Sequence, residues 1–411
     1  LSKIDLFLSL KSFYTSDFIL EKANIAFKKN DIKDLSKVTK LFLPRILNKK
    51  IKKIFSRGHI EGEFFLPFKL DGSISSAYTF FGKINNADVN LPKDYKIKNL
   101  TAKIQYGNNN SESLKIIIEE GSISNLKLAD SFVKIKFEKN KKTIQSTIHT
   151  VGNVNLSEIK KISSLLNLKI EHLNDFNLNS DLRTNVQLYI DKSFKVKNIT
   201  YSTKGNINSL QLKTTKGKSI KEFLPSFNGK ILIKNAIVDY STSDKKQLFK
   251  LEGDVKISEN FEKLKINQTY KKENKKYNIS VSSSLNNSSV KVEKLNYKKE
   301  SGINANVDFD LDLIINKYLL IKSLSYLENK NEIFLKQIKL NKDLEIVDIK
   351  KIKTITYLND LKNNDFKINK KDKLKISGDI FDAQPLLKSL FNNNGKKIFG
   401  KNFNSEIKIN F

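Results

Sequence analysis

The sequence predicts a mainly β protein: an elongated, curled and repetitive antiparallel sheet that forms a groove, with a few short amphipathic helices. Three observations carry this prediction. Apolar and polar residues alternate through run after run, turn-forming clusters separate the runs, and only four stretches have helical spacing. Little helix-patterned sequence lies between the runs, so meanders suit the chain better than βαβ units.

In chain order, the first helical stretch is LFLPRILNKKIKKIF (41–55), with Leu43, Ile46, Leu47, Ile51 and Ile54 on one side and basic residues opposite. GHIEG (58–62) reads as a turn. YGNNN (106–110), EEGS (119–122) and FEKNKK (137–142) mark further turns. The second helical stretch, LSEIKKISSLLNL (156–168), carries Ile159, Ile162, Leu165 and Leu166, with Ser157 as its cap. NVQLYID (185–191) alternates as a strand should, and KSIKEFLPSF (218–227) is a short third helix. DVKIS (254–258), SVKVEKLNY (289–297) and KLKIS (373–377) alternate again, separated by TSDKK (242–246), the long hairpin turn near QTYKKENKK (268–276) and LNNSS (285–289).

VDFDLDLII (307–315) is the clearest strand. It sets Val307, Phe309, Leu311 and Leu313 on one face and Asp308, Asp310 and Asp312 on the other, where all three carboxylates would meet solvent. SEIKINF (405–411) likewise aligns Ile407, Ile409 and Phe411. Between them, SGDIFDAQPLLKSLF (377–391) breaks a strand at Gly378–Asp379 and enters the fourth helix, whose apolar side is Leu386, Leu387 and Leu390. Asp382 caps it, and Pro385 falls in the first turn, where a missing N–H costs little. GNVNLSEIKKISSLL and GDIFDAQPLLKSLF form a loose internal echo: a Gly-led strand running into a short helix. With no Gly/Ser-rich or Pro-rich linker, residues 1–411 read as a single groove without an internal boundary.

Lys and Arg number 75 against 44 Asp and Glu, a net charge of +31 that favours anionic surfaces. Lys, Asn and Ile are residues of AT-rich codons, so part of this charge reflects genome composition. The charge is spread along the chain rather than gathered with exposed aromatics, so no specific nucleic-acid partner is expected. There is no Cys, hence no disulfide or thiolate site, and no run of 18 apolar residues. The chain begins at Leu1 and contains no Met, which reads as a fragment of a longer protein; any targeting segment would lie upstream.

The chemistry of catalysis is missing. Gly217-Lys218-Ser219 ends like a phosphate loop, but Leu212 stands where the pattern needs Gly. His59, His149 and His172 lie far apart, and the Asp residues of 308–312 belong to a strand rather than a calcium loop. No enzyme, metal or cofactor is expected.

A sheet with one apolar face must cover it with a second sheet, with helices, or with something other than protein. Four short helices cannot cover this one, which leaves a sandwich or barrel, or an open groove lined by apolar side chains that takes lipid tails. The expected lining is Val307, Phe309, Leu311, Leu313, Ile407, Ile409 and Phe411. Ile46, Leu47 and Ile51, with Leu386, Leu387 and Leu390, would be the covering helices.

FLPRILNKKIKKIFSRGHIEGEFFLPFKL (42–70), FGKINNADVNLPKDYKIKNLTAKIQYGNN (81–109) and SGDIFDAQPLLKSLF (377–391) resemble segments of the AsmA-like/YhdP proteins of the bacterial envelope, with 370–411 like their C-terminal region. The resemblance implies a periplasmic β-groove anchored to the inner membrane by a segment absent from this sequence. It also implies phospholipid as the partner, moved between inner and outer membranes. It rests on strand, turn and helix patterns, and no binding residue transfers one by one. The alternatives are an envelope scaffold with a protein-closed core and a basic nucleic-acid-binding protein.

Overall fold

The computed structural model describes residues 3–9, 12, 14, 18–34, 53–91, 95–107, 112–165, 173–192, 195–214, 218–371, 373–391 and 408–410. They are mainly β, as the alternation predicts. Twenty-one strands share one hydrogen-bonded sheet, and β15 (Val290–Val292) with β16 (Tyr297–Lys299) forms a separate two-stranded ribbon. Neighbouring strands are antiparallel, except that β22 (Leu374–Ile380) and β23 (Lys408–Asn410) run parallel. The sheet is open: β1 (Lys3–Leu8) pairs with β2 (Leu20–Asp31) and with no other described strand.

The chain forms two compact units, 1–154 with 180–203, and 155–179 with 204–411. The long strands β9 (Leu173–Asp191) and β10 (Val196–Thr214) contribute a stretch to each. In the first unit, β2 to β8 form a meander through β3 (Phe55–Pro67), β4 (Thr79–Asn90), β5 (Lys96–Gly107), β6 (Ser113–Ile123), β7 (Leu126–Phe137) and β8 (Lys141–Asn155). Its core gathers Ile32, Ile60, Ile84, Ala87, Leu100 and Ala102, with Phe27, Phe64 and Phe80 packed ring against ring.

In the second unit, β11 (Lys230–Thr242), β12 (Lys246–Lys256), β13 (Phe261–Lys271) and β14 (Lys276–Ser284) form one meander. After an excursion over 285–305, β17 (Asn306–Ile314), β18 (Tyr318–Glu328), β19 (Asn331–Asn341), β20 (Ile346–Leu358), β21 (Leu361–Lys370) and β22 continue it. The tract 268–276 holds a hairpin turn, but a tight one rather than the long one expected: only 272–275 turn, and Gln268 to Lys271 pair with Ile279 to Lys276.

Short range chemistry explains where the strands bend. Among the described residues fourteen non-glycines have positive φ, and eight of them are Asn, a side chain that tolerates the left-handed region well. Asn86, Asn99 and Asn235 sit where the pairing register shifts, so each makes a bulge. After Asn86 and Asn235 comes a buried alanine, Ala87 or Ala236, with glycine across the ladder. A Cβ on Gly58 would fall 2.6 Å from that of Ala87, and one on Gly253 would fall 2.4 Å from that of Ala236.

Each of the four expected helical stretches is helical in part among the described residues, and the third is shorter than the sequence predicts. α1 is Leu156–Leu165, and its cap is Asn155 rather than Ser157: Asn155 Oδ1 accepts from the Glu158 N–H, while Glu158 Oε2 accepts from the Asn155 N–H. α2 is a single turn, Lys218–Lys221, because Pro225 and the turns around it stop the expected 218–227 helix. α3 is Gln384–Phe391, capped as expected by Asp382, whose Oδ1 accepts from the Gln384 N–H at 3.0 Å. The strand before it does not break at Gly378 but continues to Ile380, with a bulge opposite at Asp365/Phe366. Of the expected 41–55 helix, 53 and 54 are helical; Ile46, Leu47 and Ile51 lie outside the described residues. The run 289–297 is not one strand: a 3₁₀ turn, Glu293–Leu295, interrupts it, ended by Asn296 in the left-handed region.

Candidate functional site

The register of the second unit assembles its apolar side chains into a row across the sheet. Val238 stands opposite Leu251, Leu251 opposite Ile266, and Ile266 opposite Val281. Val281 faces Phe309, which faces Leu324, which faces Leu335. Leu335, Ile352, Ile368 and Ile376 complete ten consecutive strands, and Ile376 pairs with Ile409. Phe309 and Ile376, 67 positions apart, thus belong to one row. Parallel to it, Leu311 joins Ile279 and Ile321, and Leu313 joins Tyr277 and Leu319.

These side chains share a face: Leu324 packs against the buried cluster around Tyr326, and Leu335, Ile352, Ile368 and Ile376 against buried Ile338, Ile349 and Leu374, while Ile266, Val281 and Phe309 belong to neither cluster. Val238 and Leu251 are buried, whereas the eight others from Ile266 to Ile376 keep part of their surface exposed. The first unit repeats the arrangement: Ile25, Phe64, Phe80, Tyr106, Leu114, Ile135 and Ile144 stand opposite one another in turn, each partly exposed. The opposite face is polar, with Asp239, Lys250, Asn267, Ser280 and Asp310 in one row. A shallow depression there is lined by Lys265, Asn267, Ser282 and Asp308.

One end of the second unit's apolar face is covered by protein. The excursion 285–305 lays Leu285, Val290, Tyr297 and Ala305 over Tyr326, with Val307, Leu324 and Ile333 at the margin. Val307 therefore meets protein, while Phe309, Leu311 and Leu313 lie outside that cluster. Buried polar groups fix the excursion. Glu262, 5 % exposed, accepts from the backbone N–H groups of Asn286 and Asn287 and from the Ser284 and Ser288 hydroxyls. Lys299, 1 % exposed, donates to the carbonyls of Ser288 and Glu300 at 2.8 and 3.0 Å, and burial pulls its pKa down. Tyr297 donates its one hydroxyl proton to Glu328 at 2.8 Å, so Tyr326, 2.7 Å away, must donate to Tyr297. Burial drives both phenols far above their ordinary pKa.

α3 packs against the 3₁₀ turn of this excursion, and Asp382 also accepts from Asn296 at 2.9 Å. Leu387 is 49 % exposed; the side chains of Leu386, Leu390 and Ile409 lie outside the described residues, as do Ile407 and Phe411 altogether.

The carboxylates of β17 do not all meet solvent. Asp308 is exposed, but Asp312 is buried between Lys276 at 2.6 Å and Lys322 at 2.9 Å, and it accepts from Asn278. Burial alone would raise its pKa; the hydrogen bonds from Lys276, Lys322 and Asn278 outweigh it and hold the carboxyl below its ordinary value. The partners come from β14 and β18, so strand alternation alone could not place them. His149 Nε2 pairs with Asp181 at 2.7 Å, and His59 lies in β3, without a shared site. No family model, curated protein or solved structure matches this chain.

Proposed function

We propose that the chain binds phospholipid, its acyl chains lying on the apolar face while headgroups remain in water. The observation that carries this reading is the contiguous, partly exposed apolar row from Ile266 to Ile376. Contiguous apolar surface of that extent marks a binding surface in a soluble protein, and an open face accepts flexible chains of many lengths where an enclosed pocket would select one. The proposed setting is the one the resemblance implies: a bacterial periplasm, with an inner-membrane anchor outside this sequence and lipid moving between the two membranes.

The test places a photo-reactive phenylalanine at Phe309, with Ser280 on the polar face as the comparison site. Phospholipid crosslinked at 309 and not at 280, in protein taken directly from cells, is the expected result. Peptide crosslinks alone at 309 would instead favour a protein-closed scaffold.

A further inference from the structure

The polar face of β19–β22 carries positive charge that the sheet does not neutralise. Elsewhere in the second unit several lysines of that face are paired, Lys204 with Asp239, Lys263 with Asp254, Lys265 with Glu252, and Lys276 and Lys322 with Asp312, while Lys250 stands opposite Asp239 and Asn267 rather than another lysine. On β19–β22, Glu332 takes Lys353, Asp348 takes Lys370, and Asp365 takes Lys362, with Asp379 also acting on Lys362. Lys336, Lys351, Lys367 and Lys375 have no carboxylate in ion-pair contact among the described residues.

The register makes this costly. Lys336 stands directly opposite Lys351, and Lys367 directly opposite Lys353. Side chains in such pairs start about 5 Å apart, and like charges there repel. Lys375 joins the Lys336–Lys351 row through Asn369. Lys336, Lys367 and Lys375 are exposed. An external anion would turn this repulsion into attraction.

We infer that the outer face of β19–β22 docks on an anionic phospholipid surface through Lys336, Lys351, Lys367 and Lys375. A pleated sheet presents these lysines side by side on neighbouring strands about 4.8 Å apart, and lipid headgroups can diffuse within a leaflet to match them. A polynucleotide would call for aromatic platforms as well. The ring within the array, Phe334, is instead covered by the Lys351 ammonium, 5.8 Å from its centre. This surface is opposite to the apolar row and stands apart from the acyl-chain reading.

The full chain is sedimented with vesicles of phosphatidylcholine alone or with about one-third phosphatidylglycerol, at physiological salt. Replacing the four lysines by Gln is expected to weaken binding to the anionic vesicles about tenfold or more. A variant lacking four scattered lysines, Lys69, Lys139, Lys213 and Lys245, should bind like the parent. The sequence has no Cys, so S377C, opposite Lys367 on this face, accepts a single environment-sensitive dye and reports contact without removing any lysine. Its emission should shift on anionic vesicles, and that of S280C should not. Equal losses from both lysine sets, equal binding to neutral vesicles, or no shift at 377 would each overturn the inference. So would loss of duplex-DNA binding by the four-lysine variant with vesicle binding intact. Failure of the Phe309 crosslink with the 377 signal present would leave this surface standing and remove only the acyl-chain reading.

Discussion

Asp312 and its two lysines show how one side chain ties three strands together. A carboxyl whose folded pKa lies below its ordinary value of 3.8 adds stability above that value, and the contribution fades as pH falls through the folded pKa. Asp312→Asn should therefore destabilise the protein at neutral pH by about 1–3 kcal/mol. The difference from the parent should shrink towards zero in denaturant melts at progressively lower pH below 3.8. The cost stays modest because Lys276 and Lys322 retain 26 % and 44 % of their side-chain surface and can be rehydrated. A gap that persisted unchanged in acid would show that packing, not charge, holds Asp312. Asparagine teaches a related lesson. Its abundance reads as codon bias in the sequence, yet Asn86, Asn99 and Asn235 each occupy a left-handed bulge position. The composition was visible; the backbone requirement that it meets was not.

At the scale of elements, the alternation located the strands, but close approaches between them set the limits on substitution. Gly253 and Ala236 meet across β12 and β11, and an added Cβ would come within 2.4 Å of a methyl group that cannot rotate away. Gly253→Ala should cost about 1–3 kcal/mol. By contrast, a Cβ on Gly107 would lie 3.3 Å from Thr79 Cγ2. Gly107→Ala should stay within about 1 kcal/mol of the parent, since the stiffer unfolded chain offsets mild crowding. Paired thermal melts decide this, and equal losses at the two sites would contradict the bulge packing. The strand-to-helix echo also acquires a cause. Added Cβ atoms at Gly152 and Gly378 would each lie 2.3 Å from a partner-strand or turn carbonyl, that of Asn125 or Asp365. Each glycine permits a tight approach shortly before a capped helix. The ends of these helices were harder to read, because Asn155 outcompetes Ser157 through a reciprocal bond with Glu158 that lies only three residues on.

In the proposed binding of lipid, the row rather than any single residue is the functional unit. Thr keeps the branched shape and strand preference of Ile and Val while adding a hydroxyl to the greasy surface. The double variant Ile266→Thr with Val281→Thr should melt within a few degrees of the parent, each residue being partly exposed already. Phospholipid recovered by extraction of the purified protein should fall by about half or more. Undiminished lipid in a folded variant would separate the row from binding.

From the sequence by itself came the mainly β class and the face on which Val307, Phe309, Leu311 and Leu313 lie, because side-chain alternation is a local property of extended backbone, whereas GHIEG (58–62) and EEGS (119–122), read there as turns, lie inside β3 and β6. Which strands stand side by side was decided only in three dimensions. Pairing aligns Phe309 with Ile376 across distant sequence, buries Asp312 beneath lysines from β14 and β18, and folds 285–305 over Val307. Register and coverage depend on contacts between segments far apart in the chain, and no periodicity within one segment encodes them.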